Sequence, residues 1–157
     1  MPLHRAEACL NFWLQTRARL SLPQPMPPDP GRPVLGPTLP LLRAHMPALT
    51  EAELARLAAI GQGLLEWNAR INLVSRADAA HLEERHLLHC ALALRLHRFA
   101  PGARVLDLGT GGGLPGLVLA AIHPEADFTL LDSTQKKLRA VEAVAAAAGL
   151  ANVRVAW

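Results

Sequence analysis

The sequence has few cysteines: only Cys9 and Cys90 among 157 residues, far apart and without a CxxC partner. That excludes a disulfide scaffold or a cysteine zinc site and suits a reducing cytoplasm, the expected location. No run of eighteen uncharged apolar residues is present, so no segment is expected to span a membrane. The N-terminus lacks the continuous apolar stretch and small-residue cleavage site of a secretory signal, and none is expected. Neither sign of charge dominates. Sixteen Lys and Arg stand against thirteen Asp and Glu, a formal net charge of +3 that permits an RNA partner without demanding one. There is no internal repeat. No nucleophilic Ser or Cys with a base and no paired carboxylates stand out, so no catalytic residue is assigned. His86 and His89 are three residues apart, but without a carboxylate or cysteine at suitable spacing no metal site is expected.

What is present is unevenly distributed. Ten of the thirteen prolines precede residue 48, including the run from Pro23 to Pro30 and then Pro33, Pro37 and Pro40. Proline fixes φ and removes a donor, so residues 1–47 are expected to be a poorly ordered extension rather than helix or central strand. Residues 6–20 could form a short basic amphipathic helix presenting Phe12, Trp13 and Arg17. Residues 48–100 read as a helical segment. Thr50 and Glu53 form a T-x-x-E capping box, and Leu54, Leu57, Ala58, Leu64 and Leu65 recur on one helical face to about Asn68. A loop through Ser75 follows, then a second helix, capped by Asp78 and running from Ala79 to about His97. From residue 101 to 157 the pattern becomes strand, helix, strand, helix, strand. The strands are Arg104–Leu108, Asp127–Leu131 and one opening at Val153; the helices are Leu114–His123 and Thr134–Ala148, the latter ended by Gly149. That order predicts an α/β fold with a parallel, Rossmann-like sheet and right-handed crossovers.

Between the first strand and its helix lie Gly109, Gly111 and Gly113. Glycines here allow positive φ and let a ligand approach the backbone at the carboxyl edge of the sheet, where open α/β sheets bind ligands. Pro115 suits a first helical turn. Two ligand classes fit. Gly111, Gly113 and Gly116 satisfy the spacing of a dinucleotide fingerprint, a weak signal alone. Asp107, two residues before Gly109, favours a cationic ligand instead. At an effective dielectric near 20, a carboxylate about 4 Å from a phosphate costs on the order of 4 kcal/mol. S-adenosylmethionine carries a sulfonium and an ammonium and no phosphate. Asp132, ending the second strand, is placed to accept both ribose hydroxyls of an adenosine. Capping of the following helix is the alternative role, one that Ser133 or Thr134 can also fill.

These residues carry a resemblance. Leu65-Glu-Trp-Asn-x-x-Ile-Asn-Leu-Val-Ser75, Arg85-His-Leu-Leu88, Asp107-Leu-Gly-Thr-Gly-Gly-Gly-Leu-Pro-Gly116 and Phe128-Thr-Leu-Leu-Asp-Ser133 with Lys136 and Lys137 occur in order. Over about Leu49 to Val155 the chain resembles the small-subunit ribosomal RNA methyltransferase G family, also called glucose-inhibited division protein B. The resemblance implies a class I S-adenosylmethionine-dependent methyltransferase, monomeric, in a bacterial cytoplasm, with 16S ribosomal RNA and the small subunit as partners. It implies cofactor contacts at Gly109 and Leu114, supported by Gly111, Gly113 and Asp132; Asp107 joins this set on the charge argument above. Two departures stand out. His89 and Cys90 occupy positions where the family often has Asp-Ser. The sequence also stops at Trp157, short of the family's adenine-contacting segment and Ser-Arg-Ala strand, so the methyltransferase domain is expected to be incomplete.

The reaction so implied, methyl transfer to guanine N7, requires no proton removal, because the N7 lone pair attacks directly. Catalysis then depends on alignment and on a field that tolerates a cationic purine. Arg70, Arg76 and Arg85 are candidate phosphate contacts. Lys136, Lys137 and Arg139 lie on a helix and can equally be plain solvated charges. Trp67 reads as a packing residue rather than a base-stacking platform. A methyltransferase acting on a small molecule or protein, and an inactive fragment of the fold, remain the alternatives.

Overall fold

Helix α1, Pro40–His45, begins at a proline, where a missing amide is harmless. The computed structural model describes residues 35–36 and 38–157. The anticipated helix over residues 6–20, Cys9, and the prolines from Pro23 to Pro33 lie outside the described residues. The expected boundary at residue 48 is corrected, because folded structure extends back to Leu39 and Leu42, both fully buried. The amides of Leu41 and Leu42 donate to Glu83 Oε1 at 2.7 and 3.0 Å, so a carboxylate some forty residues away caps this helix. Leu39, at the N-cap, holds a left-handed φ of 42°.

Helix α2, Glu51–Asn68, starts with the capping box the sequence announced. Glu53 N donates to Thr50 Oγ1 at 3.3 Å, and Thr50 N donates to Glu53 Oε2 at 2.6 Å. Its buried residues, Leu54, Leu57, Ile60, Gly61, Leu64 and Leu65, recur at helical spacing. Each buried Leu or Ile contributes roughly 1.5–3 kcal/mol. Gly63 lets α2 approach its neighbour closely, since a Cβ there would stand 3.0 Å from Val144 Cγ2.

The following segment departs from expectation. Ser75, not Asp78, caps the short helix α3, Arg76–Ala79, with Asp78 N donating to Ser75 Oγ at 3.1 Å. Asp78 is already the third helical residue. No single helix reaches His97. A wide π-helical turn at Glu83–Leu88 leads into α4, His89–Leu92, and a 3₁₀ turn at Ala93–Arg95. The π turn buries both Leu87 and Leu88 while keeping Glu83 toward α1.

The remainder follows the predicted alternation: β1 Arg104–Leu108, α5 Gly116–Ile122, β2 Asp127–Leu131, α6 Gln135–Ala147 and β3 Val153–Ala156. The strands form a parallel sheet in the order β1-β2-β3, the α/β class expected. Leu106 pairs with Thr129 and Leu108 with Leu131, and Phe128 and Leu130 of β2 are fully buried. All of α5 is buried. It starts at Gly116 rather than Leu114, because residues 111–115 are taken up by tight turns and Pro115 serves as N-cap. Gly149, at φ 70°, ends α6 in a Schellman arrangement, with Leu150 N donating to Ala145 O at 2.9 Å and Gly149 N to Ala146 O at 3.1 Å. Asn152 ties the layers together. Its Nδ2 lies 3.0–3.1 Å from the carbonyls of Ala120, His123 and Ala126, at the end of α5 and the entry to β2. The other face of β1 is open, with Leu106 59% and Leu108 74% exposed.

Candidate functional site

The glycine loop leaves β1 pinned to its neighbour. Gly109 N and Thr110 N donate to Leu131 O at 2.8 and 3.0 Å, so the loop sits across the carboxyl ends of β1 and β2. Gly109, Gly111 and Gly113 all have positive φ, at 77°, 58° and 91°. Their surroundings differ. At Gly109 an added Cβ would meet nothing within 4 Å, and at Gly111 only the Gly109 carbonyl at 4.0 Å, so this stretch of backbone is open. At Gly113 the Cβ would lie 2.5 Å from Leu117 Cδ1, so that glycine is required by packing onto α5. Gly116 is crowded too, since an added Cβ there would stand 2.7 Å from Asp107 Oδ2. Leu114 is half-buried, packed against the core.

The two acidic residues singled out in the sequence both turn onto this loop. Asp107 Oδ2 accepts from Thr110 Oγ1 at 2.7 Å and from Gly116 N, at the start of α5, at 2.9 Å. Asp132 Oδ2 accepts from Gly111 N at 2.9 Å, and its Oδ1 accepts from Thr134 N at 2.8 Å. The amide of Thr134, then that of Gly111, holds the Asp132 carboxyl below the usual aspartate range. Thr134 is the N-cap residue of α6 and makes no side-chain cap; Asp132 instead braces the turn that precedes it. Each Asp132 oxygen retains a second lone pair. Sequence reasoning missed one neighbour of this turn: exposed Trp157, whose Nε1 donates to Ser133 O at 3.0 Å.

A second wall comes from the segment after α2. Asn68 Oδ1 accepts from Leu73 N and Val74 N at 2.8 and 3.0 Å, folding the chain back on the helix end. Leu73 then rests on the glycine loop, its Cβ and carbonyl oxygen 3.2 and 3.3 Å from where a Gly112 Cβ would stand. Beside it, Arg70, Arg76 and Lys136 line one depression of about 610 Å³. Arg85 is elsewhere engaged, paired with Asp78 at 2.8 Å. Trp67 packs against the core with the Arg70 guanidinium 5.4 Å above its ring. Burial, and secondarily the Asp107 carboxylate, push the Cys90 thiol up to about 11, so it is neutral and inert at physiological pH. Among the described residues, no three His, Cys, Asp or Glu side chains gather as a metal site, and no helix is long and apolar enough to cross a membrane.

Residues 53–156 match the family of rRNA small subunit methyltransferase G. Curated relatives named ribosomal RNA small subunit methyltransferase G include that of Christiangramia forsetii, 43% identical over 74% of this chain and 55% of its own length. That of Chlorobaculum tepidum is 46% identical over 72% of this chain and 52% of its own length. The chain thus spans about half the length of the curated relatives it matches. Among solved structures, coclaurine N-methyltransferase bound to N-methylheliamine and SAH overlays with a TM-score of 0.46 and 17% identity, covering 99% of this chain and 40% of that one. That likeness is too slight to bear on function.

Proposed function

Because the chain belongs to the rRNA small subunit methyltransferase G family, we propose that it supplies the cofactor cleft of an S-adenosylmethionine-dependent enzyme that methylates N7 of a guanine in 16S ribosomal RNA. In this reading the protein works as a monomer in the cytoplasm on the small ribosomal subunit. The observation that carries the cofactor assignment is the occupation of two amides. A dinucleotide would seat its pyrophosphate on loop and helix-start amides. Here Gly111 N already donates to Asp132, and Gly116 N to Asp107, each at 2.9 Å. Two carboxylates stand where a diphosphate would need donors. The same charges favour a cationic ligand.

The residues fit such a cofactor. Gly109 and Gly111 offer open backbone, and Leu114 a half-buried apolar side chain in the same loop. Gly113 acts through packing that holds the loop's shape. Asp132 is ionised and fixed by two amides, with lone pairs left for a ribose diol. Bound S-adenosylmethionine supplies an electrophilic methyl group on a cationic sulfur. Guanine N7 carries its own free lone pair, so no residue of the chain would need to remove a proton, and the neutral thioether would be the leaving group. The task left to the chain is alignment and a negative field near the developing purine cation. Asp107 contributes to that field while its Oδ2 secures the loop.

The test is methyl transfer from radiolabelled S-adenosylmethionine by the full-length protein. Label in 16S ribosomal RNA of unmethylated small subunits, at guanine N7, is expected. Label appearing instead in a small-molecule pool would reject the RNA reading. NAD binding in preference to S-adenosylmethionine would reject the cofactor.

A further inference from the structure

One polar side chain of the glycine loop is buried. Thr110 is 2% exposed, and among the described residues only His123 is another buried polar side chain. Every polar group of Thr110 is engaged. Its amide donates to Leu131 O at 3.0 Å, and its carbonyl accepts from Gly113 N and Leu114 N at 2.9 and 3.2 Å. Those bonds tie the loop to β2 and shape its turn, and they use backbone alone. The hydroxyl does something else: it donates to Asp107 Oδ2 at 2.7 Å. Most side-chain hydrogen bonds go to backbone or water, so a hydroxyl that needed only to be satisfied would ordinarily meet a carbonyl. This one meets a carboxylate, at the short distance of a charge-assisted bond.

The consequence falls on Asp107. The half-buried carboxylate takes both of its bonds, from Thr110 Oγ1 and Gly116 N, on one oxygen. Among the described residues, Oδ1 receives none. The last torsion of an aspartate is broad, so a carboxylate held by one donor turns easily and exchanges its two oxygens. Two donors on Oδ2, one early in the loop and one at the start of α5, restrict that turn and leave Oδ1 as the bare acceptor. We infer that Thr110 is a positioning residue for cofactor recognition. By holding Oδ2, its hydroxyl keeps Asp107 Oδ1 presented to the cationic part of S-adenosylmethionine, and so sets the preference of the site for a charged over a neutral adenosine ligand. The inference rests on the S-adenosylmethionine reading above. Supporting groups of this kind decide how well a recognition group is held in its working orientation.

The experiment uses the full-length protein and its Thr110→Val, Thr110→Ser and Asp107→Asn variants, with calorimetry as the readout. The probes are S-adenosylmethionine and 5′-methylthioadenosine, which keeps adenine and ribose but carries neither sulfonium nor ammonium. Valine keeps the β-branched shape and removes only the hydroxyl. Thr110→Val should bind S-adenosylmethionine about tenfold more weakly, the scale of one lost bond to a charged group, and 5′-methylthioadenosine within about twofold of the parent. Thr110→Ser restores the donor and should recover S-adenosylmethionine binding to within about threefold. Asp107→Asn should show the same selective loss by itself, and adding Thr110→Val to it should change little, because the pair acts as one unit. Equal weakening of both ligands by Thr110→Val or by Asp107→Asn would overturn the inference. So would additive losses in the double variant, or no recovery with serine; Thr110 would then only shape the loop. A parent that binds S-adenosylmethionine beside an indifferent valine variant would sink this inference alone. A parent that binds NAD in preference to S-adenosylmethionine would sink the cofactor reading and this inference together.

Discussion

At the residue scale, two glycines four positions apart share a backbone conformation and differ in its purpose. Gly113 is hemmed in by Leu117, whereas Gly109 faces open space. Gly113→Ala should therefore cost about 3 kcal/mol of stability, combining positive-φ strain with a forced shift of the α5 contact. Gly109→Ala should cost about 1 kcal/mol yet weaken S-adenosylmethionine binding tenfold or more by placing a methyl group on the open backbone. Urea unfolding and calorimetry on both variants separate the two effects; equal stability losses would contradict the distinction. Asp132 gives a pH prediction. Its folded-state pKa is depressed, so the bonds from Gly111 and Thr134 contribute stability above the ordinary aspartate range. That contribution is lost only as pH falls through the lowered value. Amide chemical shifts of Gly111 and Thr134 should stay constant down to about pH 4 and move below it. A midpoint at or above the ordinary value would refute the bracing role.

At the element scale, what was legible in the sequence is what neighbouring residues decide. The capping box of Thr50 and Glu53, the apolar face of α2, the three strands and the Gly149 stop all depend on residues a few positions apart. Helix α1 was invisible because its cap, Glu83, lies across the fold and its proline reads locally as a breaker. The division of the second helix was also hidden, since a π turn is stabilised by burial of Leu87 and Leu88 rather than by a sequence period. At the candidate site, the glycines, Asp107 and Asp132 were recognisable by type and spacing. That both acids turn inward onto loop amides, and that Gly113 serves packing, required the third dimension. Glu83→Ala should free two amides of α1 at a cost of about 1 kcal/mol. Hydrogen exchange at Leu41 and Leu42 should accelerate while cofactor affinity holds. Unaltered exchange would show that burial of Leu39 and Leu42 alone secures the helix.

At the scale of the whole molecule, polar ties join the helices to the sheet across the shared core. Arg56 Nε donates to Ala121 O at 2.8 Å, linking α2 to the last turn of α5, and Asn152 gathers three carbonyls where α5, β2 and β3 meet. The open face of β1 is the weak point, because apolar side chains on an unpaired edge invite association. Leu106→Lys/Leu108→Lys should reduce self-association of the 157-residue chain in light scattering with little change in its thermal midpoint. A collapse of the midpoint would mean that these leucines support the core after all.

The strand order carries one more consequence. Each parallel pairing joins strands adjacent in the chain and is closed by a single intervening helix. Assembly can therefore proceed vectorially during translation, each strand docking on the one before it. Among the described strands, β1 serves as the starting template and neither β2 nor β3 has to be threaded between strands already paired.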